Sequence, residues 1–383
     1  MNARLEVDLG AIEANTRSLV DRLAPRGIRV TGVTKASLGS PGVGRAMIAG
    51  GAHGLGDSRV ENLTRLGAAG IDVPLTLIRS PMTSQVDAVV RHASTSLNTE
   101  ISVLEALSRA ASRLGTTHAV VLMVELGDLR EGVVASDLVP LALDVAALPG
   151  LTLAGIGTNL ACQSGVVPDQ TNMCELSRLA DEVERAVGAR LCVVSGGNSA
   201  NVGWALDSPD TGRVDDLRLG EAILLGLDPL TRLPIAGLRT DAMALAGELI
   251  EVRDKPAQPW GVMGEGAFGA PGPRPGRGLV RQGVLAVGRQ DVELEGLRPP
   301  SGVTVLGMSS DHLVVDLGDV TAAVGDELRF GVGYGGLLRA MTSPFVDVVE
   351  LRATGLLARD AGTVEVPGAS SSRSRCSTVP GAP

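Results

Sequence analysis

Short β-branched runs alternate with longer segments of helical period from about residue 28 to residue 235, the pattern of repeated strand–helix units. Eight runs read as strands: Ile28 to Thr34, Gly54 to Asp57, Leu75 to Arg79, Thr95 to Asn98, Ala119 to Leu126, Leu153 to Thr158, Leu191 to Ser195 and Asp216 to Arg218. Each is followed by a segment whose apolar positions fall on one helical face, as in Val60 to Ala69 and Ile101 to Arg113. Eight βα units predict a (β/α)8 TIM barrel, an α/β fold, with a doubly wound open sheet as the alternative. After Pro234 the period changes to that of strands. Leu245 to Val252, Gly283 to Gly288, Val303 to Met308, His312 to Leu317, Asp326 to Phe330 and Val346 to Ala353 alternate with turns and with a Gly/Pro-rich loop at Gly264 to Gly278. The expected organisation is a barrel over 1–235, a mostly-β C-terminal domain over 236–358 that the first ten or so residues are free to join, and a disordered tail over 359–383.

Composition narrows the partners. The 383 residues are 44% hydrophobic and 20% charged, with a formal charge of −9, which suits a soluble globular protein and leaves no broad cationic surface for nucleic acid or an anionic membrane. The first ten residues carry acids and no apolar signal core. Charges such as Asp137 and Asp144 interrupt the greasiest stretches, so neither a signal peptide nor a membrane span is expected and a cytoplasmic location follows. Cys162, Cys174, Cys192 and Cys376 show no C-x-x-C spacing; the expectation is reduced thiols, mostly in the core, with no disulfide framework and no metal site.

Cation usage is more informative. Lysine occurs only at Lys35 and Lys255, the other 32 of the 34 basic residues being arginine. Arginine solvates a surface as well as lysine does, but it cannot form a Schiff base. A lysine that persists in such a chain is a candidate for its amine. Lys35 ends the apolar run Val30-Thr31-Gly32-Val33-Thr34, at the strand end where barrel enzymes place catalysis, whereas Lys255 reads as a solvated turn charge. The glycine-spaced segment Gly39 to Ala46 resembles a nucleotide P-loop but has Arg45 and Ala46 at the lysine and Ser/Thr positions, so a tight βα turn is the better account. Ser195-Gly196-Gly197-Asn198-Ser199 after the seventh strand and Arg218-Leu219-Gly220-Glu221-Ala222 after the eighth occupy the loops where barrels bind phosphate. An amine after strand one and a phosphate cradle after strands seven and eight imply pyridoxal 5′-phosphate. Asp57, Arg79, Asn98, the run Gly127 to Glu131, and Thr158-Asn159 point toward the same mouth. Tyr334, the only tyrosine, reads as a packing residue with a wet hydroxyl, and His312 as a turn residue.

These features resemble the alanine racemase-like, fold type III pyridoxal-phosphate enzymes, and within them the ornithine racemase group. The likeness runs from Arg4 to about Leu351, through Val7 to Ile12, Gly32 to Lys35, Gly56 to Asn62, Gly127 to Gly132, Gly155 to Leu160, Ser195 to Ser199, Arg218 to Gly226, Gly288 to Asp291, Ser309 to His312 and Leu338 to Pro344. The resemblance implies that Lys35 carries the Schiff base, that Arg130 lies near the cofactor's phenolate oxygen, and that Asn159 stands where alanine racemases have a histidine against the ring. It implies that Ser199, Gly220 and Glu221, with Ser195 and Asn198 in the same loops, serve the phosphate. Arg218 matches the arginine facing the pyridine nitrogen; a permanently charged group there keeps that nitrogen unprotonated and weakens the ring as an electron sink, which favours simple proton return.

Two family tyrosines are missing. Ala36-Ser37-Leu38 follows the lysine where alanine racemases have one, and Gly288-Arg289-Gln290-Asp291 replaces the segment that supplies the second acid/base from the partner subunit. Asp311 and His312, or Asp291, are the alternatives, reaching the barrel mouth of a second chain in a head-to-tail homodimer with shared active sites. The reading is an amino-acid racemase acting on a small substrate such as ornithine. A decarboxylase of the same fold is one alternative. A non-catalytic pyridoxal-phosphate carrier is another, disfavoured because such carriers lack the β domain. Glu125, Asp128, Glu131 and Glu265 are the candidate acids for a distal ammonium.

Overall fold

The computed structural model describes residues 2–269, 274 and 277–351. The chain opens with β1 (Ala3–Asp8) and the helix Leu9–Leu23, which Asp8 caps by accepting the Ala11 N–H at 2.9 Å. Eight parallel strands then close a barrel: β2 (Arg29–Val33), β3 (Gly54–Asp57), β4 (Leu75–Leu77), β5 (Thr95–Asn98), β6 (His118–Met123), β7 (Leu151–Gly157), β8 (Val193–Gly197) and β9 (Asp216–Leu219). All eight coincide with the runs read from the sequence, and closure of β9 onto β2, from Arg29 opposite Asp216 to Gly32 opposite Leu219, excludes the open sheet. Helices such as Val60–Ala68, Ile101–Leu114 and Gln170–Val187 turn Leu63, Leu104 and Leu176, all fully buried, onto the outside of the barrel. Small residues let strands approach: a Cβ on Gly155 of β7 would sit 1.9 Å from the Val193 carbonyl.

The remaining strands form a separate, mostly antiparallel sheet: β10 (Met243–Pro256), β11 (Leu279–Leu285), β12 (Thr304–Met308), β13 (Leu313–Asp316), β14 (Glu327–Gly331) and β15 (Val346–Leu351). β10 is its spine, pairing β1 and β14 through its first half and β11 through its second, with an irregularity between Leu249 and Glu251 that bends it from one partner set to the other. β1 belongs to this sheet rather than to the barrel, lying between β10 and β15. The helix Tyr334–Thr342, which the strand pattern does not announce, packs against the turn at Lys35–Ser37 in the barrel mouth. Part of the Gly264–Gly278 loop and the tail over 359–383 lie outside the described residues. Among the described residues no helix is long and apolar enough to cross a membrane.

Candidate active site

Lys35 stands directly beyond β2, where the strand turns into the short helix Lys35–Ser37. The turn is tied from below. Thr34 donates its N–H to the Gly56 carbonyl at 2.9 Å and its hydroxyl to Asp57 at 2.8 Å, and Asp57 also accepts from Asn62 and from the Arg59 N–H, each at 3.0 Å. The backbone then passes through left-handed conformations at Leu38 and Gly39, and a Cβ on Gly39 would lie 2.7 Å from that of Asn62. Asp57, predicted as a mouth residue, therefore anchors the lysine turn from beneath.

A cavity of about 210 Å³ opens above, and Lys35, Arg130, Asn159, Asn198, Ser199, Arg218, Gly220 and Glu221 all line it. Sequence reasoning missed three further polar members: Cys162, Arg232 and Tyr334. Burial is the largest influence on the Lys35 amine and pushes its pKa down; the guanidinium groups of Arg130 and Arg218 push the same way, against opposition from Cys162 and Asp57. A larger share of neutral, nucleophilic amine at neutral pH is the consequence.

Arg218 is buried, at 5% exposure, and desolvation takes its pKa down to about 10, which still leaves it charged at neutral pH. It donates to the Thr158 carbonyl at 2.7 Å and to the Ser195 hydroxyl. Arg130 donates to the Cys162 sulfur at 3.1 Å across two loops that Asp128 fastens together, its buried carboxylate accepting the N–H groups of Cys162, Gln163 and Ser164 at 3.0–3.2 Å. In the predicted cradle, the N–H groups of Gly220 and Ala222 converge on the Ser199 hydroxyl at 3.2 and 3.1 Å. Asn198 holds Asn159 at 3.1 Å and the Leu160 carbonyl at 2.8 Å, leaving the buried Nδ2 of Asn159 without a partner. Glu221, the one carboxylate of the lining, is paired with Arg232 at 2.7 Å, and desolvation raises its pKa. Burial also raises that of the Tyr334 hydroxyl.

Several expected residues lie elsewhere. Ser195 does not line the cavity: its hydroxyl donates to Asp216 and accepts from Arg218, beneath the floor. Asp291 is engaged in its own turn, accepting from the Gly288 N–H at 3.1 Å and the Ser343 hydroxyl at 2.8 Å. Asp311 and His312 occupy the exposed turn between β12 and β13, outside this chain's cavity, where Asp311 accepts from Gln290 and Ser310, and His312 meets Ser309. Tyr334 packs against the core, as expected, and also lines the cavity. Cys162, Cys174 and Cys192 are exposed rather than in the core, since each sits on a loop or an outer helix face; Cys376 lies outside the described residues.

Among the described residues the lining offers one recessed amine, three guanidinium groups and the Ser199 hydroxyl, on which two backbone N–H groups converge, against a single, already paired carboxylate. That donor set fits a molecule with an anionic group at one end and an electrophilic carbon at the other. Because the Lys35 pKa is lowered in the folded chain, the unfolded chain binds the extra proton, and folding gains stability as pH rises from the lowered value toward the ordinary 10.5. Lys35→Met should therefore raise unfolding stability at pH 7, with the advantage over the unsubstituted protein shrinking as pH rises through that window; urea unfolding across pH checks this.

Comparison with known proteins agrees with the geometry. Residues 7–229, more than half the chain, match the family described as alanine racemase, N-terminal domain. The chain is 36% identical to the lysine racemase of Thermotoga maritima over 349 residues, 90% of this chain and 98% of that protein. It is 32% identical to the ornithine racemase of Acetoanaerobium sticklandii over 352 residues, 91% of this chain and 99% of that protein. The crystal structure of an alanine racemase from Streptomyces lavendulae superimposes with a TM-score of 0.73 at 22% identity, covering 93% of this chain and 98% of that one, a likeness of fold. With a barrel mouth built around a single recessed lysine and relatives matched across nearly their whole length, the chain belongs to the alanine racemase family and is an amino-acid racemase.

Proposed function

We propose that this racemase holds pyridoxal 5′-phosphate in the barrel-mouth cavity, with Lys35 as the amine that binds it covalently, and that it interconverts the enantiomers of a diamino acid. The observation that carries the cofactor is that the cavity-lining lysine shares its cavity with Arg130, Arg218 and Arg232 and with Ser199 and Gly220. When bound, the cofactor draws electrons from the substrate's Cα–H bond. The chain supplies the rest. Ser199, on whose hydroxyl the Gly220 and Ala222 N–H groups converge, would hold the phosphate, the Asn159 Nδ2 would supply an unengaged donor, and Arg218 would keep a positive charge at the floor. The Lys35 Nζ would take or return the Cα proton on its own face. Proton transfer by a positioned group of this kind contributes roughly 10²- to 10⁴-fold.

A diamino substrate is supported by the activities for which the two nearly full-length relatives are named, lysine and ornithine racemisation. It is also supported by the acids near the mouth. Asp128 is engaged with three backbone N–H groups, Glu125 accepts from those of Gly127 and Leu129, and Glu265 is exposed in the β10–β11 connection. Glu131 retains a buried carboxylate oxygen without a hydrogen-bond partner, and a distal ammonium would satisfy it. Purified protein supplied with pyridoxal phosphate and a panel of L-amino acids in D2O, read by chiral chromatography and mass, should convert ornithine and lysine with one deuterium at Cα and no CO2 release. Alanine should react at least about 10²-fold more slowly, since a site built to bond an N–H rejects an analogue without it. Preference for alanine, or loss of CO2, would overturn the reading.

The opposite face needs a second group, and we assign it to Asp311 and His312 of another copy in a head-to-tail homodimer, because both stand on an exposed turn of the β sheet. Lys35→Ala and the double variant Asp311→Asn/His312→Asn should each be inactive. Mixed and re-associated, they should recover about one quarter of the original activity, because a random half of the dimers is mixed and each of those has one intact site. No recovery from the mixture would place the second base within the same chain as Lys35.

A further inference from the structure

Arg218 and Asp216 lie two residues apart on β9, so both side chains project into the barrel. Both are buried, yet they form no direct ion pair: the Ser195 hydroxyl stands between them, donating to Asp216 Oδ2 and accepting from Arg218 Nη1. Strand pairing fixes it there. Ser195 is opposite Asp216 in the β8–β9 ladder, and the register slips immediately afterwards, between Ser195 and Gly197. The hydroxyl has one proton, and Asp216 takes it, so a lone pair must face the guanidinium. On its other oxygen Asp216 accepts from the Thr31 hydroxyl at 2.7 Å, and Arg218 is held upward by the Thr158 carbonyl at 2.7 Å.

Attraction between opposite charges strengthens steeply as they close in a water-poor interior. There is also room to close: a second cavity of about 180 Å³, at the other end of the barrel, is lined by Thr31, Ser195, Asp216 and Arg218 themselves. Arg218 thus lines both cavities and could serve the mouth or sink toward the carboxylate. We infer that Ser195 is a spacer: its hydroxyl keeps Arg218 and Asp216 one hydrogen-bonding atom apart, so that the carboxylate compensates the buried charge without drawing the guanidinium away from the mouth. Ser195 is then a positioning residue that acts through Arg218, and Asp216 is both the counter-charge and the force against which the spacer works.

The spacer depends on the cofactor reading for its functional consequence, but its structural part can be tested without cofactor. Crystal structures of the cofactor-free Ser195→Ala protein should show the guanidinium moved away from the Thr158 carbonyl and paired directly with Asp216, at about 3 Å. Ser195→Ala should also bind pyridoxal phosphate at least about tenfold more weakly, as expected for loss of a hydrogen bond to a charged group, with an altered absorbance maximum of the bound form. Ser195→Thr, which keeps the hydroxyl, should restore both. The deciding variant is Ser195→Ala/Asp216→Asn: with the pull removed, affinity and absorbance should recover toward the unsubstituted protein, even though thermal unfolding shows the double variant to be less stable. An unmoved Arg218 in Ser195→Ala, or losses that simply add in the double variant, would overturn the spacer. Failure of the unsubstituted protein to take up pyridoxal phosphate would instead overturn the cofactor reading, with the crystal structures still deciding the spacer.

Discussion

A guanidinium with almost no exposed surface, set beside a recessed amine and a second guanidinium, is the arrangement on which the rest of the mouth depends. Desolvating cations is expensive and crowding them adds repulsion, so the fold must supply compensation close by without neutralising the charge it needs. It does so in layers. Asp216 answers Arg218 from below through a serine hydroxyl, Asp57 lies beneath the Lys35 turn, and Glu221 meets Arg232 at the rim. None of the three carboxylates takes the amine for itself in a direct ion pair, and Lys35 keeps the lowered pKa that a nucleophilic amine needs at neutral pH.

The same layering explains how residues distant in sequence come to one place. Barrel closure sets β2 beside β9, which brings the lysine strand against the strand of Arg218 and the Gly220 turn. Asp128 stitches the loop after β6 to the loop after β7 and so presents Arg130 and Cys162 together. The helix Tyr334–Thr342 reaches from the C-terminal sheet region to the lysine turn, so the mouth is completed by a part of the chain that is not in the barrel.

Much of this is legible in the sequence, for identifiable reasons. Most of the eight strands are short apolar runs bounded by turn residues, and Lys35 stands out because nearly every other basic position is arginine. That Ser199 and Gly220 share one cavity is legible because Ser-Gly-Gly-Asn-Ser and the Gly220 turn stand beside two successive strands. Tyr334 is not legible: the helix that carries it begins Tyr-Gly-Gly, and two consecutive glycines are weak helix formers. Arg232 reaches the mouth only through a loop in which it adopts a left-handed backbone, held by the carbonyl of Asp228. Ser195 reads as a cofactor contact because it belongs to the glycine-rich segment after the seventh predicted strand; its pairing opposite Asp216 in the β8–β9 ladder, which no sequence pattern announces, sets its hydroxyl beneath the floor instead.

The central claim is that Lys35 is the amine that carries the cofactor. Titration of the protein with pyridoxal 5′-phosphate, reduction with borohydride and peptide mapping by mass spectrometry test it most directly. The account predicts one equivalent of pyridoxyl label per chain, on Lys35 alone, with an imine absorbance band that reduction removes. Label on Lys255, whose ammonium is paired with Glu251 on β10, or no stoichiometric label at all, would contradict it.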